Sequence, residues 1–338
     1  MTRIVNASEE RAGQGRPPLL RLLGTMARKL RGCFAGRLVE VTTRTLQSRH
    51  LLRPGRRTNQ IVVGVLARAQ QRTGICIVGP VAMSNHIHLL VVPRSTRQLS
   101  VFMRYVNSNV ARKVGRLHGW KGKFWEKRYT AIVVTDEEQA QVGRLRYLLS
   151  QGVKEGLVQR PGDWPGVHVA RALQSGYPEI SGGVWHDRTA QRRAGRRSSR
   201  GSARARDFDQ KSLCVGLCPL PCWSELSWSQ RRAATRRLIR EVVSEARRER
   251  KGRPVFGARA VLDQDPFSAP EQSERRPAPP CHAASRKARR ELTKELRAFA
   301  AAFFAASEAL RKGETADFPA GCFPPGLPYV AESSVPDG

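Results

Sequence analysis

Two pairs of side chains in this 338-residue sequence have the types and spacing for chemistry. The first is His86 and His88, in the stretch Met83-Ser84-Asn85-His86-Ile87-His88-Leu89-Leu90-Val91-Val92-Pro93. It reads as a β-strand entered through a polar turn and closed by Pro93. Side chains alternate across a strand, so both imidazoles emerge on one face and Ile87 on the other. Two imidazoles so placed on a rigid element can grip one metal ion, although two ordinary His on the polar side of a half-buried strand read the same way. The second pair is Tyr147 and Gln151, four residues apart and hence on one face of a helix. Gly143 leaves room one turn earlier, and Arg144 supplies a charge suited to a phosphate. If that helix crosses the His strand, Gln151 can offer an amide oxygen as a third ligand and Tyr147 stands beside the ion. The plainer alternatives are a core-edge Tyr and a polar helix-terminal Gln.

The elements that must position these residues follow from periodicity. Leu38–Arg44 is rich in β-branched residues and reads as a first strand. Thr58 is the expected cap of a helix with Ile61, Val62, Val65, Leu66 and Ala69 at helical spacing, stopped at Gly74. A second strand from Ile75 to Met83 turns at Ser84-Asn85 into the His strand. Ser95 or Thr96 caps a second helix with Leu99, Phe102, Met103, Val106, Val110 and Leu117 on its buried stripe. A strand over Arg128–Val134 follows, and then a third helix capped at Thr135-Asp136, whose Glu137 and Glu138 suit the positive end of its dipole. This third helix runs to about Ser150, stops at Gly152, and carries Tyr147. The order β-α-β-β-α-β-α implies an α+β domain, a ferredoxin-like split βαβ with a mostly antiparallel sheet, over residues 37–170.

Around that domain the expected organisation is a basic N-terminal extension (1–36), a basic flexible linker (171–210) and a helical and irregular C-terminal region (211–338). Within the N-terminal extension, residues 17–30 could form a short basic amphipathic helix. The linker includes 188–206, rich in Arg, Gly and Ser and free of acid. Helices are expected at about 228–250 and 285–312, the second with Leu296, Phe299, Phe303 and Phe304 able to pack, followed by a Pro-rich ending. Sixty Lys and Arg against 28 Asp and Glu leave a net charge of +32, which points to a polyanionic partner, nucleic acid before membrane surface. No apolar run reaches the roughly 18 residues that a spanning helix needs. Seven scattered Cys suggest a reducing, cytoplasmic setting. Cys214, Cys218 and Cys222 form a C-x3-C-x3-C series, but two prolines and the lack of a fourth ligand make it a poor zinc site. Trp120, Phe124, Trp125 and Tyr129 among Lys121, Lys123, Lys127 and Arg128 could form a platform for single-stranded nucleic acid. Alternatively, Phe124 and Trp125 are core residues, with Lys121, Lys123 and Arg128 left as backbone contacts.

Three stretches together resemble a known family: Met83–Leu90 with its His-hydrophobic-His (HUH) motif, Gly122–Tyr129, and Arg144–Gln151 followed by Glu155–Val158 and Asp163–Pro165. They are similar to the single-tyrosine HUH transposases, nearest the branch called REP-associated tyrosine transposases, over residues 37–168. That resemblance implies metal ligation by His86, His88 and Gln151, with Mg²⁺ or Mn²⁺ as cofactor, and Tyr147 as nucleophile. It implies cleavage and rejoining of single-stranded DNA, with hairpins as the expected substrates, through a 5′-phosphotyrosine. The implied setting is a bacterial, nucleoid-associated cytoplasm, and the implied enzyme a monomer or homodimer. A free phenol ionises near pH 10, so a bound cation and in-line positioning must help such an attack. Two departures stand out: Gln151-Gly152-Val153 where many members have Asn-Pro-Val, and Glu40 before Val41-Thr42 where many have His. A DNA-hairpin-binding protein of the same fold without cleavage is the alternative function.

Overall fold

The structure is a computed structural model, and it describes residues 30, 35–175, 178–185, 211–270 and 278–324. The expected N-terminal helix (Leu30 apart), the Arg-rich stretch 188–206 and the end of the Pro-rich tail lie outside the described residues.

Strands β1 (Val39–Arg44), β2 (Cys76–Ala82), β3 (His86–Val92) and β4 (Thr130–Val134) form where β-branched and apolar residues cluster between turn signals. They lie in the order β2-β3-β1-β4, every pairing antiparallel, which is the ferredoxin-like arrangement. Helix α1 (Arg56–Thr73) links β1 to β2, and helix α2 (Thr96–Leu117) links β3 to β4. Helix α3 (Glu138–Ser150) follows β4.

Two helix starts differ from expectation. The N-cap of α1 is Gly55, not Thr58, which is buried inside the first turn. The N-cap of α3 is Glu137: the Thr135 hydroxyl donates to the Glu137 carboxylate (2.7 Å) rather than capping the helix itself. The other boundaries follow the chemistry read from the sequence. Ser95 caps α2 by accepting from the Gln98 amide, and Gly74 ends α1 in the left-handed region (φ 63°).

The chain after residue 165 contributes more to this framework than a helical appendage would. Residues Cys33–Glu295 form one compact unit, so the expected boundary near 170 falls inside it. Helix α4 (Ala170–Gln174) is followed by a hairpin of β5 (Glu179–Trp185) and β6 (Lys211–Gly216), which has no counterpart in the periodicity of the sequence. The hairpin packs on α1. That explains why α1 is apolar almost all round: Val62, Val63, Val65, Leu66, Ala67 and Ala69 are all buried. Helices α5 (Trp228–Arg250) and α6 (Ala258–Leu262) come next, α5 against α3 and α4. Strand β7 (Cys281–His282) then joins the edge of the main sheet, parallel to β4, before helix α7 (Arg286–Arg311). The second unit includes Leu296–Gly338, and within it Phe303 meets Phe304 and Phe318 edge-on.

Cys76 and Cys218 are paired as a disulfide with Cα atoms 5.8 Å apart, which corrects the reading of the scattered cysteines as unpaired thiols. Of the C-x3-C-x3-C series, Cys218 is taken up in that pair, Cys214 is exposed and Cys222 is intermediate. No described helix is long and apolar enough to cross a membrane.

Candidate active site

Strand register puts the chemistry on one face. In the β1–β3 pairing Thr42 lies opposite His88 and Arg44 opposite His86. Cross-strand partners share a face and residues two apart in a strand do too, so Glu40, Thr42, Arg44, His86 and His88 all project together. On the same face Leu38, Val78, Leu90 and Val134 build an apolar cluster with Leu145, Leu148 and Leu149 of α3. Burying that stripe lays α3 across the sheet and turns Tyr147 toward the histidines. The far side of α3 packs against Leu238, Val242 and Ala246 of α5, and Arg146 pairs with Glu245 there. Helix α3 is therefore held from both sides.

The expected site residues meet. The rings of His86 and His88 are 4.8 Å apart between centroids, and the His88 and Tyr147 rings 5.7 Å apart, each pair edge-to-face. Gln151 is the C-cap of α3 and is fully buried. Its amide donates to the Tyr147 carbonyl (3.3 Å), and its side chain is hydrogen-bonded to His86. On each imidazole the Nδ1 atom is engaged inward: His86 Nδ1 with Asn85 Oδ1 at 2.6 Å, His88 Nδ1 with Thr42 Oγ1 at 3.1 Å and Glu40 Oε1 at 3.3 Å. The Nε2 atoms are then the ones oriented to ligate. Desolvation, with the charges of His88 and Arg44 adding to it, holds His86 well below its ordinary pKa, in the neutral form a ligand must have.

Arg144 does not stand open to phosphate alone. Its guanidinium reaches Glu40 Oε2 at 3.1 Å and lies 4.5 Å from the Tyr147 ring centre. Lys154, which no motif singles out, is 3.8 Å from the same ring. The phenol ring is thus fixed between two cations. Lys121, Lys123 and Arg128 are exposed, and Lys123 helps line an open depression of about 700 Å³ with Arg112, Arg116 and Trp120. The aromatic platform is not built: Phe124 and Tyr129 are buried, Trp125 donates to the Asn107 carbonyl (2.8 Å), and Trp120 stacks on Phe267. The core reading of Phe124 holds because Leu46 bonds its carbonyl and ties the loop to the end of β1.

Four further residues belong to the site. Glu40 is buried, with Oε2 accepting from His282 Nε2 at 2.7 Å as well as from Arg144. Burial alone would raise its carboxyl, but hydrogen bonds from His282 and His88 and the charges of His88 and Arg144 pull it well below the carboxylate range. Arg44 shares the His86 row and its field. His168, also buried, takes the Ala170 amide on Nδ1 (3.1 Å) and sits beside the Gln151 backbone. Parity along β1 could have found Glu40 and Arg44; nothing local to His168 or His282 announces them.

A helix-borne tyrosine facing a His-hydrophobic-His strand on a ferredoxin-like antiparallel sheet defines the class of domain. Residues 44–150, less than half of the chain, match the family described as "Transposase IS200 like", a span that holds His86, His88 and Tyr147 and ends one residue before Gln151. Among solved structures, the chain is similar to a REP-associated tyrosine transposase bound to a REP hairpin, at 17% identity and TM-score 0.36, covering 42% of this chain and 81% of that one. It is also similar to a protein from Deinococcus radiodurans R1 provisionally described as a transposase, at 18% identity and TM-score 0.27, covering 37% and 97%. No curated protein matches the chain.

Proposed function

We propose that the chain is a metal-dependent, single-strand DNA endonuclease and strand transferase that works through a 5′-phosphotyrosine at Tyr147. The observation that carries this reading is the convergence of His86, His88, Tyr147 and Gln151 on one sheet face within one chain. DNA binding alone requires none of these four, which weighs against a non-catalytic hairpin-binding protein.

His86 and His88 through Nε2, with the Gln151 carboxamide oxygen, would hold a Mg²⁺ or Mn²⁺ ion, the two nitrogens favouring Mn²⁺. Among the described residues no three His, Cys, Asp or Glu side chains are gathered as a metal group, and in this reading the carboxamide is the third ligand. Bound there, the cation would neutralise charge developing on the scissile phosphate. Arg144 and Lys154 orient the Tyr147 ring for in-line attack on phosphorus. The Tyr147 oxygen–phosphorus bond forms as the bond to the 3′-oxygen breaks, the phenol proton passing to solvent and the leaving oxygen taking one up. Because the new ester conserves the phosphodiester, a waiting 3′-hydroxyl can reverse the step and join a different strand.

Single-stranded DNA, with hairpin substrates first, suits the +32 charge and the exposed Lys121, Lys123 and Arg128 as backbone contacts. The setting in this reading is a bacterial cytoplasm, at nucleoid DNA. The test is incubation with labelled single-stranded hairpin oligonucleotides and Mn²⁺. A denaturation-resistant adduct is expected with the native chain and absent with chelator. An adduct that survives Tyr147→Phe would remove Tyr147 as nucleophile.

A further inference from the structure

We propose that the segment around His282 is part of the active site, where Glu40 and His282 act as a positioning pair that holds His88 with its Nε2 toward the metal and phosphate. This rests on the metal-dependent reading above.

Glu40 is the second residue of β1, nearly without exposure, and such a buried charge is stable only if its oxygens are met by donors. Oε1 faces His88 Nδ1 at 3.3 Å, and Oε2 takes His282 Nε2 at 2.7 Å with Arg144 at 3.1 Å. Nδ1 also meets Thr42 Oγ1 at 3.1 Å; that hydroxyl can donate or accept, whereas an ionised carboxylate can only accept, so of the two neutral tautomers Glu40 selects the one with the proton on Nδ1 and the lone pair on Nε2. That is the tautomer which ligates through Nε2, and carboxylate contacts of this kind fix both the ring angle and the basicity of a metal-bound His.

His282 reaches this position by a route the catalytic domain cannot supply. Strand β7 adds to the sheet edge with His282 opposite Val134, and the His282 carbonyl accepts the Thr135 amide at 2.9 Å. Just beyond it, the Glu137 carboxylate accepts the amides of Ala284 (2.9 Å) and Ser285 (3.1 Å). The segment is therefore pinned on both sides of the imidazole. Without His282, Oε2 would rest on Arg144 alone, drawing toward Glu40 the guanidinium that also sits against the Tyr147 ring. One histidine more than a hundred residues away in sequence thereby sets two site residues at once.

The full chain, ¹⁵N-labelled at histidine, tests this in two measurements: imidazole ¹⁵N–¹H correlation without metal, and Mn²⁺ affinity by calorimetry. The native protein should show His88 as the Nδ1–H tautomer. Glu40→Gln and His282→Ala should each give mixed tautomers and bind Mn²⁺ about tenfold or more weakly. His282→Gln, which keeps a donor, should recover most of both, and thermal unfolding of every variant separates lost orientation from lost fold. An Nε2–H His88 in the native chain, or unchanged tautomer and Mn²⁺ affinity in folded Glu40→Gln and His282→Ala, overturns the pair. If the tautomer depends on Glu40 and His282 while neither the native chain nor His86→Ala binds Mn²⁺, the positioning pair stands and the metal-dependent reading falls.

Discussion

Trp164 is the residue that most directly ties the chain after α3 to the sheet that carries the histidines. Its indole Nε1 donates to the Ala82 carbonyl at 2.9 Å, both groups buried at the end of β2, just before the turn into β3. Trp164→Phe fills most of the volume but leaves that carbonyl without its donor, a loss of about 1–3 kcal/mol. Denaturant titration should show it as a lower midpoint with an unchanged slope; an unaltered midpoint would mean the carbonyl finds another donor. At this scale the sequence is informative where residues act through short-range spacing. His86, His88, Tyr147 and Gln151 are legible because a strand repeats every two residues and a helix every three to four. Glu40 is legible from strand parity and as a departure from the family pattern, whereas its partner His282 is hidden. A hydrogen bond spanning 242 positions, from Glu40 to His282, has no local signature.

Among the elements, α1 shows how close packing replaces polarity. Gly64 faces the backbone of Val184 in β5 so closely that an added Cβ would come within 2.2 Å of the Val184 carbonyl oxygen. Gly183 meets the Gly64 backbone in return. Gly64→Ala, favourable in an isolated helix, should here cost about 1–3 kcal/mol by forcing the hairpin away from α1. Thermal unfolding measures this, and a stabilised variant would contradict the packing. The four strands and three helices of the ferredoxin-like domain are legible from periodicity, and so are α5 and α7. The β5–β6 hairpin is not, since Ser181, Gly182 and Gly183 interrupt β5 where its register shifts. Strand β7 escapes because two residues cannot show a period. Helix starts are displaced by one to three residues from their expected places because Thr58 and Thr135 are good caps that the chain uses elsewhere.

For the whole molecule, the segment carrying β7 docks onto the ferredoxin-like domain through charge as well as strand pairing. The Glu137 carboxylate holds the amides of Ala284 and Ser285, and its hydrogen bonds from Ser285 and Thr135 lower its pKa to about 2 from an ordinary 4.5. A depressed carboxyl stabilises the fold fully above pH 4.5, and that contribution is lost as pH falls toward 2. The melting temperature of Glu137→Gln should therefore lie below the native value at neutral pH, with the gap closing as pH drops through that window. A gap independent of pH would show that the carboxylate charge has no part in docking. Cys218→Ser, whose partner Cys76 lies opposite Val92 at the far end of β3 from the histidines, should leave adduct formation intact, as gel quantification would show. Net charge alone makes a polyanionic partner legible, but composition cannot say that a segment as distant as His282 meets Glu40.

Whether Tyr147 makes the covalent bond to DNA decides the functional reading. Digestion of the adduct with protease and nuclease, followed by mass spectrometry of the nucleotide-bearing peptide, tests it most directly. The predicted result is a single modified peptide containing Tyr147, carrying a 5′-linked phosphate on its phenolic oxygen. A phosphate linked through any other side chain, or cleavage with no covalent intermediate under single-turnover conditions, would contradict it.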